Sequence, residues 1–168
     1  MSNAGKLQIT TPSEREIVIT RILHAPRHLA FAAWTKPELL KRWMLGPPGW
    51  SFVVCDIDLR VGGAYRFVWR YQDGIEMGMG GVYREIVPPE RIINTQKFDQ
   101  DPTEGETLIT LILTEQNGKT TATITSLYPS QETRDAALRT NMAEGMEASY
   151  VRLDELLAQE PESKAGKS

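Results

Sequence analysis

The sequence predicts an α+β fold in the order β-αα-β6-α, in which a strongly curved antiparallel sheet of about seven strands wraps around one long C-terminal helix. Three observations predict it. Apolar residues recur with period 2 from Phe52 to Tyr128, as in strands with one buried face. The separators inside that stretch are short turn sequences, and strands joined so closely must run antiparallel, because a parallel pair needs a crossover of about a dozen residues. From Ser130 to Gln159 the period changes to that of a helix.

The first strand is the β-branched run Glu16-Ile17-Val18-Ile19-Thr20-Arg21-Ile22, stopped by Ala25-Pro26. Pro26 suits a helix start, where its missing N–H is no loss, and Leu29, Ala30, Ala33 and Trp34 follow at helical spacing. A second short helix is expected over Pro37 to Trp43, with Thr35 as its cap and Leu39, Leu40 and Trp43 as its apolar side. After Gly46-Pro47-Pro48-Gly49 come the runs Phe52 to Leu59, Ala64 to Tyr71, Met77 to Val87, Arg91 to Phe98, Thr107 to Glu115 and Thr120 to Tyr128. Gly62-Gly63, Asp73-Gly74, Pro88-Pro89, Asp101-Pro102 with Gly105, and Asn117-Gly118 separate them, all with turn chemistry. A helix from Ser130 to Gln159 would be about 45 Å long. Its apolar face reads Leu138, Met142, Gly145, Met146, Ser149, Leu153, Leu156 and Leu157, with Arg134, Glu144, Glu147, Arg152 and Glu155 opposite. Only the concave face of the sheet offers it enough apolar area.

A chain of 168 residues, 40% hydrophobic and 24% charged, is sized for one core. Residues 1–14 and 160–168 are polar and are expected to be disordered tails around a domain of residues 15–159, and Ser2-Asn3-Ala4 has the look of a cloning remnant. With one cysteine, Cys55, no disulfide forms within the chain, and a reducing, cytoplasmic setting is expected. The net charge of -3 comes without any dense basic run. That argues against nucleic acid, whose phosphates need a clustered cationic face. No apolar stretch approaches the roughly 20 residues of a membrane span, and no signal-peptide pattern opens the chain.

Several motifs resolve into ordinary structure. Asp56-x-Asp58 would place Arg60 and Phe67 where a calcium loop needs carboxylates. His24 and His28 flank Pro26 and have no third ligand nearby, so no metal is expected. Gly166-Lys167-Ser168 lacks the earlier glycine and the helix of a phosphate loop, and Gly78-x-Gly80-Gly81 lies in a strand, where glycine marks a bend. Asp58, Arg60 and Gly62-Gly63 read as a pinned tight turn. No Gly-x-Ser-x-Gly elbow exists, and Cys55 lies among apolar neighbours.

The motifs Ala25-Pro26, Trp34-Thr35-Lys36-Pro37-Glu38, Trp43, Asp58-Leu59-Arg60-Val61-Gly62-Gly63, Pro88-Pro89-Glu90-Arg91 and Gly145 through Leu157 occur in this order from Arg15 to Gln159. On them the chain resembles the START-like superfamily (SRPBCC, helix-grip, Bet v-like). Within it the chain is similar to the domain of activators of heat-shock protein 90 ATPase and their bacterial relatives (AHSA-type). The resemblance implies a ligand cavity between sheet and helix and names no ligand; relatives are similar to lipid carriers, polyketide cyclases and co-chaperones.

Alternation places Tyr65, Phe67, Trp69 and Tyr71 on one side of their strand, and Met77, Met79, Gly81 and Tyr83 continue that side on the next. Met142, Met146, Gly145 and Ser149 face them from the helix. Flexible methionines beside aromatics suit an adaptable apolar pocket, and the expected ligand-binding set is Tyr65, Phe67, Trp69, Met77, Met79, Tyr83, Leu111, Met142, Met146 and Ser149. The first functional reading is a non-catalytic domain that binds a small hydrophobic molecule, without cofactor. The second is a polyketide cyclase/dehydratase-like enzyme; among its candidate acids and bases Glu76, Glu85 and Arg70 fall on the outward parity, which leaves Tyr83. The third, a co-chaperone that binds a large ATPase, comes from the resemblance alone. A homodimer is compatible with the sequence.

Overall fold

The computed structural model describes residues 7–100, 105–140 and 142–159. Eight strands form one antiparallel sheet: β1 (Gln8–Thr10), β2 (Glu16–Leu23), β3 (Trp50–Ile57), β4 (Ala64–Tyr71), β5 (Glu76–Val87), β6 (Arg91–Phe98), β7 (Thr107–Gln116) and β8 (Lys119–Leu127). Their order across the sheet is β1-β2-β8-β7-β6-β5-β4-β3. The tight turns read from the sequence make β3 to β8 a meander, and the two helices after β2 let β8 return to pair with it. Bulges between Phe52 and Val54 and between Tyr83 and Glu85 shift the register, and each adds local twist and bend.

Helices α1 (Arg27–Thr35) and α2 (Pro37–Trp43) follow β2, and α3 (Gln131–Leu138) and α4 (Met142–Gln159) follow β8. Thr35 does not cap α2. It ends α1, where its hydroxyl donates to the Phe31 carbonyl at 2.8 Å, and Lys36 stands at the start of α2.

Two expectations are corrected. Residues 8–10, read as part of a tail, form β1, with Gln8, Ile9 and Thr10 opposite Thr20, Ile19 and Val18. The expected tails at residues 1–6 and 160–168 lie outside the described residues. The single helix from Ser130 to Gln159 is two helices. Ser130 caps α3 by accepting from the Thr133 N–H at 3.1 Å, α3 closes at Arg139, and the Thr140 hydroxyl donates to the Ala137 carbonyl at 2.7 Å. Thr140 is a weak helix former whose hydroxyl competes for backbone groups. No residue of α3 is buried, and of its hydrophobic residues Ala137 alone packs against the core, so little packing holds the chain helical through this point. Leu138, expected on the apolar face, is 39% exposed.

The core lies between the inner face of the sheet, α1, α2 and the C-terminal half of α4, where Ser149, Tyr150, Leu153, Leu156 and Leu157 are buried. Tyr150, absent from the face read in the sequence, packs against both Trp34 and Trp43, with ring centroids at 6.1 and 5.8 Å. Its neighbour in the fold is Arg21. Along β2 the buried positions are Ile17, Ile19, Arg21 and Leu23, so a guanidinium points into the core. It meets Glu147 at 3.1 Å and Asp154 at 3.0 Å, both on α4, and stands 5.5 Å from the centre of the Tyr150 ring. Glu147 therefore turns toward the sheet and not away from it. Asp154 is seven residues on, so one cation holds two turns of the same helix.

Glycines make room on both faces. At Gly81 a Cβ would lie 1.9 Å from the Thr95 carbonyl oxygen, and at Gly78 one would lie 2.2 Å from Asp99 and 2.6 Å from Arg66. The expected bend at Gly78-x-Gly80-Gly81 is instead a close approach. The register stays constant from Gly80 to Tyr83 and shifts only beyond it.

Two stability measurements check this picture. Arg21→Met leaves Glu147 and Asp154 without their cation; since both are about one-third exposed, the loss should be about 2–3 kcal/mol, below the roughly 3–5 of a fully buried pair. Urea unfolding that shows less than about 1 kcal/mol contradicts the role given to Arg21. Gly81→Ala drives a methyl into a backbone carbonyl, and the same experiment should show a loss of about 3 kcal/mol or more.

Candidate functional site

The strand pair β4·β5 sets out the inner face residue by residue. Tyr65 is opposite Gly81, Phe67 opposite Met79 and Trp69 opposite Met77. Tyr65, Phe67, Trp69, Met79 and Tyr83 are buried and Met77 is half-buried. The aromatic rings form a continuous wall, with centroids 4.9 Å apart for Tyr65–Phe67, 5.5 Å for Tyr65–Tyr83 and 5.9 Å for Phe67–Trp69. Phe52 of β3 joins it 4.9 Å from Trp69. On the opposite face Arg66 pairs with Asp99, Arg70 with Glu76, and Arg91 with Glu85. Glu76 and Arg70 lie outside the inner face, as alternation predicts; Glu85 lies there too, but strict alternation from Tyr83 would turn it inward, and it is the bulge between Tyr83 and Glu85 that puts it on the outer face.

The remaining expected residues are dispersed. Leu111 is buried on β7, in one row with Ile92 and Ile124; it is two strands away from Met79 and Tyr83. Met142 and Met146 are half-buried on the first half of α4 and pack against the core. Ser149 is occupied, because its hydroxyl accepts from the Gly46 N–H at 2.9 Å. The loop from Met44 to Gly49 is tied down on both sides. Trp69 Nε1 donates to the Met44 carbonyl at 2.8 Å, and Arg152 donates to the Gly46 carbonyl at 2.8 Å. Gly145 serves this loop too, since a Cβ there would lie 3.3 Å from Pro47. The small residues Gly145 and Ser149, read from the sequence as pocket-facing, seat the loop against the helix.

A cross-strand row that carries three polar side chains crosses the inner face beside the aromatic wall, and the sequence reading missed Asn94 within it. Tyr83 is opposite Asn94, which is opposite Ile109, which is opposite Ser126. The Tyr65 hydroxyl reaches over Gly81 to donate to the Thr95 carbonyl at 2.6 Å and accepts from Asn94 Nδ2 at 3.1 Å. Burial pushes the Tyr65 phenol up to about 12, opposed by the hydrogen bond from Asn94. It pushes Tyr83 up as well, reinforced by Tyr65 and Cys55, so both phenols stay protonated at neutral pH. Every buried side-chain nitrogen and oxygen among the described residues has a partner. The Tyr83 hydroxyl bonds to none of them, and so it keeps contact with space that water can reach. Asn94 was recognisable as an amide on the inward parity of β6, between Ile92 and Gln96.

Cys55 follows the bulge in β3 and stands opposite Phe67. Burial pushes its thiol up to about 11, partly opposed by Lys41, which disqualifies it as a nucleophile at neutral pH. Among the described residues no three His, Cys, Asp or Glu gather as metal ligands, and His24 and His28 are exposed. Two open surface grooves, of about 550 and 490 Å³, lie away from the aromatic wall. The first runs between Leu7 and Ile9 beside β1 and Ala143, Glu144 and Glu147 of α4; the second is lined by residues 13–16 and Leu127.

A curved antiparallel meander with a C-terminal helix pinned to its inner face is a scaffold that other proteins share. The model of the family described as activator of Hsp90 ATPase homolog 1-like protein matches residues 24–158. The chain belongs to this family. Its fold is close to that of a solved protein from Rhodobacter sphaeroides, at 34% identity and a TM-score of 0.86, covering 91% of this chain and 98% of that one. A protein from Nitrosomonas europaea is similar at 27% identity and a TM-score of 0.78, covering 89% and 97%. An AHSA1 protein from Silicibacter pomeroyi shares the fold at 20% identity and a TM-score of 0.66, over 85% and 97%. No curated protein matches the chain in sequence. As in a START-like relative, the helix grips the sheet, and no helix among the described residues is long and apolar enough to cross a membrane.

The raised thiol gives a direct check. At pH 8 Cys55 should react with iodoacetamide roughly 100-fold more slowly than a free cysteine of pKa about 8.5. Because the thiol is the form favoured by burial, the rate should climb about tenfold per pH unit until it levels near pH 11. A rate that levels by pH 9 contradicts the burial assigned to the thiol.

Proposed function

We propose that this member of the activator of Hsp90 ATPase homolog 1-like family binds a small hydrophobic molecule between the inner face of the sheet and the first half of α4. One observation carries the reading: residues that face inward are buried at the C-terminal half of α4 and only half-buried at its start. Leu23, Arg21 and Leu113 are sealed, whereas Met142 and Met146 on the helix, and Met77, Asn94, Ile109 and Ile124 on the sheet, remain half-buried. Methionine adapts its rotamers at little cost, so Met142 and Met146 can move to make room for a ligand between the start of α4 and the core they pack against. The unpartnered Tyr83 hydroxyl supplies an orienting contact, as apolar pockets with a few convergent polar groups do.

The cyclase-like alternative draws on Tyr83 alone. A phenol kept protonated by burial serves as a proton donor and not as a base, and no second acid or base faces it among the described inner-face residues of β4 and β5. A co-chaperone role follows from the family description only. Binding with orientation is therefore the better-supported reading.

A ligand burying about 300 Å² of apolar surface gains roughly 7 kcal/mol gross. Lost freedom on association offsets much of this, which places affinity in the micromolar range. A polarity-sensitive dye and a panel of sterols, fatty acids and flavonoids should include binders at tens of micromolar, and failure of all of them contradicts the proposal. Met146→Trp should fold at a cost of about 1–3 kcal/mol and lose that binding. Tyr83→Phe should weaken it by about 1 kcal/mol; a fall in turnover of roughly 100-fold at unchanged affinity, measured on a candidate polyketide, would favour the enzyme instead.

A further inference from the structure

We infer that this site selects an uncharged ligand with a ketone, ester or hydroxyl oxygen, oriented by Tyr83 and Asn94, and rejects carboxylates. The inference rests on the binding reading above and names the class of molecule bound. Tyr83 and Asn94 are direct partners across β5 and β6, on the inner face. The orientation of the Asn94 amide follows from its neighbours. The single proton of the Tyr65 hydroxyl goes to the Thr95 carbonyl, so the Asn94 atom that meets the hydroxyl at 3.1 Å must be the donor. The same nitrogen also reaches the Thr95 carbonyl at 3.1 Å, which can only accept. Asn94 Oδ1 is then the atom left to the half-buried side of this residue. Tyr83, opposite Asn94 in the sheet register, carries an uncommitted, protonated hydroxyl on the same face. The pair presents one acceptor and one donor, both neutral.

Charge on this face has a definite sign. Among the described inward positions of the strands Arg21 is the one cation, and its guanidinium is fully engaged: Nε and Nη2 with Glu147, Nη1 and Nη2 with Asp154, and Nη1 also with the Ile22 carbonyl. One positive and two negative groups leave that cluster net anionic. Arg66, Arg70 and Arg91 are on the outer face with their own carboxylates, and Arg152 is turned to the Gly46 carbonyl. A carboxylate brought to the Tyr83–Asn94 pair would shed its hydration for one phenol proton, beside the Asn94 carbonyl oxygen and with no cation among the inward strand positions except the engaged Arg21. That desolvation is steeply unfavourable for an ion and mild for a neutral oxygen. A ketone or ester accepts from Tyr83, and an alcohol also donates to Asn94.

The test uses matched pairs that share an apolar body: 2-acetylnaphthalene against 2-naphthoate, and 1-dodecanol against dodecanoate, titrated into the full chain at pH 8 and followed by calorimetry. The neutral member of at least one pair should bind at tens of micromolar, and its carboxylate at least about 10-fold more weakly. A carboxylate that binds as tightly as its neutral partner, or more tightly, overturns the selectivity while leaving ligand binding intact. If no member of either pair binds, the selectivity and the binding reading fall together.

Discussion

A guanidinium inside the sheet decides where the last helix lies. Arg21 is 1% exposed, and a buried cation is tolerated only if its hydrogen-bonding capacity is met. Glu147 and Asp154, seven residues apart on α4, meet it from one side, and the Tyr150 ring between them covers it. The helix cannot slide or rotate without stranding that charge. The Trp34, Trp43 and Tyr150 rings and the Ser149 and Arg152 bonds to Gly46 complete the clamp. All of these ties engage α4 from Glu147 onward. The turn before it, with Met142 and Met146, packs against the core with none of those polar ties, and this asymmetry within one helix is what the proposed site would draw on.

The same clamp explains the chemistry left on the inner face. Because the helix engages Arg21 in full, no free cation remains among the described inward positions of the strands. What the sheet does offer is an aromatic wall and neutral amide and hydroxyl groups. The outer face keeps its arginines in pairs with carboxylates, and Gly78 leaves space for the Arg66–Asp99 pair. One sheet thus separates an outer face of several exposed ion pairs from an inner face whose strands carry one cation, Arg21, held by the last helix.

Much of the fold was legible because strand alternation and turn chemistry are local. The runs from Phe52 to Tyr128 and the helix over Pro37 to Trp43 needed no tertiary information. What escaped depended on partners distant in the chain. Gln8-Ile9-Thr10 is a strand because β2 offers it an edge, not by its own pattern. Arg21, at an inward parity in β2, was recognisable as buried only alongside carboxylates 126 and 133 residues away. The helix break at Arg139 and Thr140 hinged on whether packing would override weak propensity, and α3 has no buried residue to do so. In the site, alternation placed Tyr65, Phe67, Trp69, Met79 and Tyr83 on one face. It could not tell that Gly145 and Ser149 serve a loop, nor that Asn94 stands beside Tyr83, because loop docking and cross-strand register are set by the assembled sheet.

The central claim is that a ligand lies between the aromatic wall and the start of α4. It is tested most directly by isotope-filtered nuclear Overhauser contacts between unlabelled 2-acetylnaphthalene and the chain carrying 13C-labelled methionine, isoleucine and leucine methyl groups. The account predicts contacts to the Met79, Met142 and Met146 methyl groups together, with Ile109 or Ile124 beside them. Contacts confined to Leu7 and Ile9, in the groove beside β1, would contradict it.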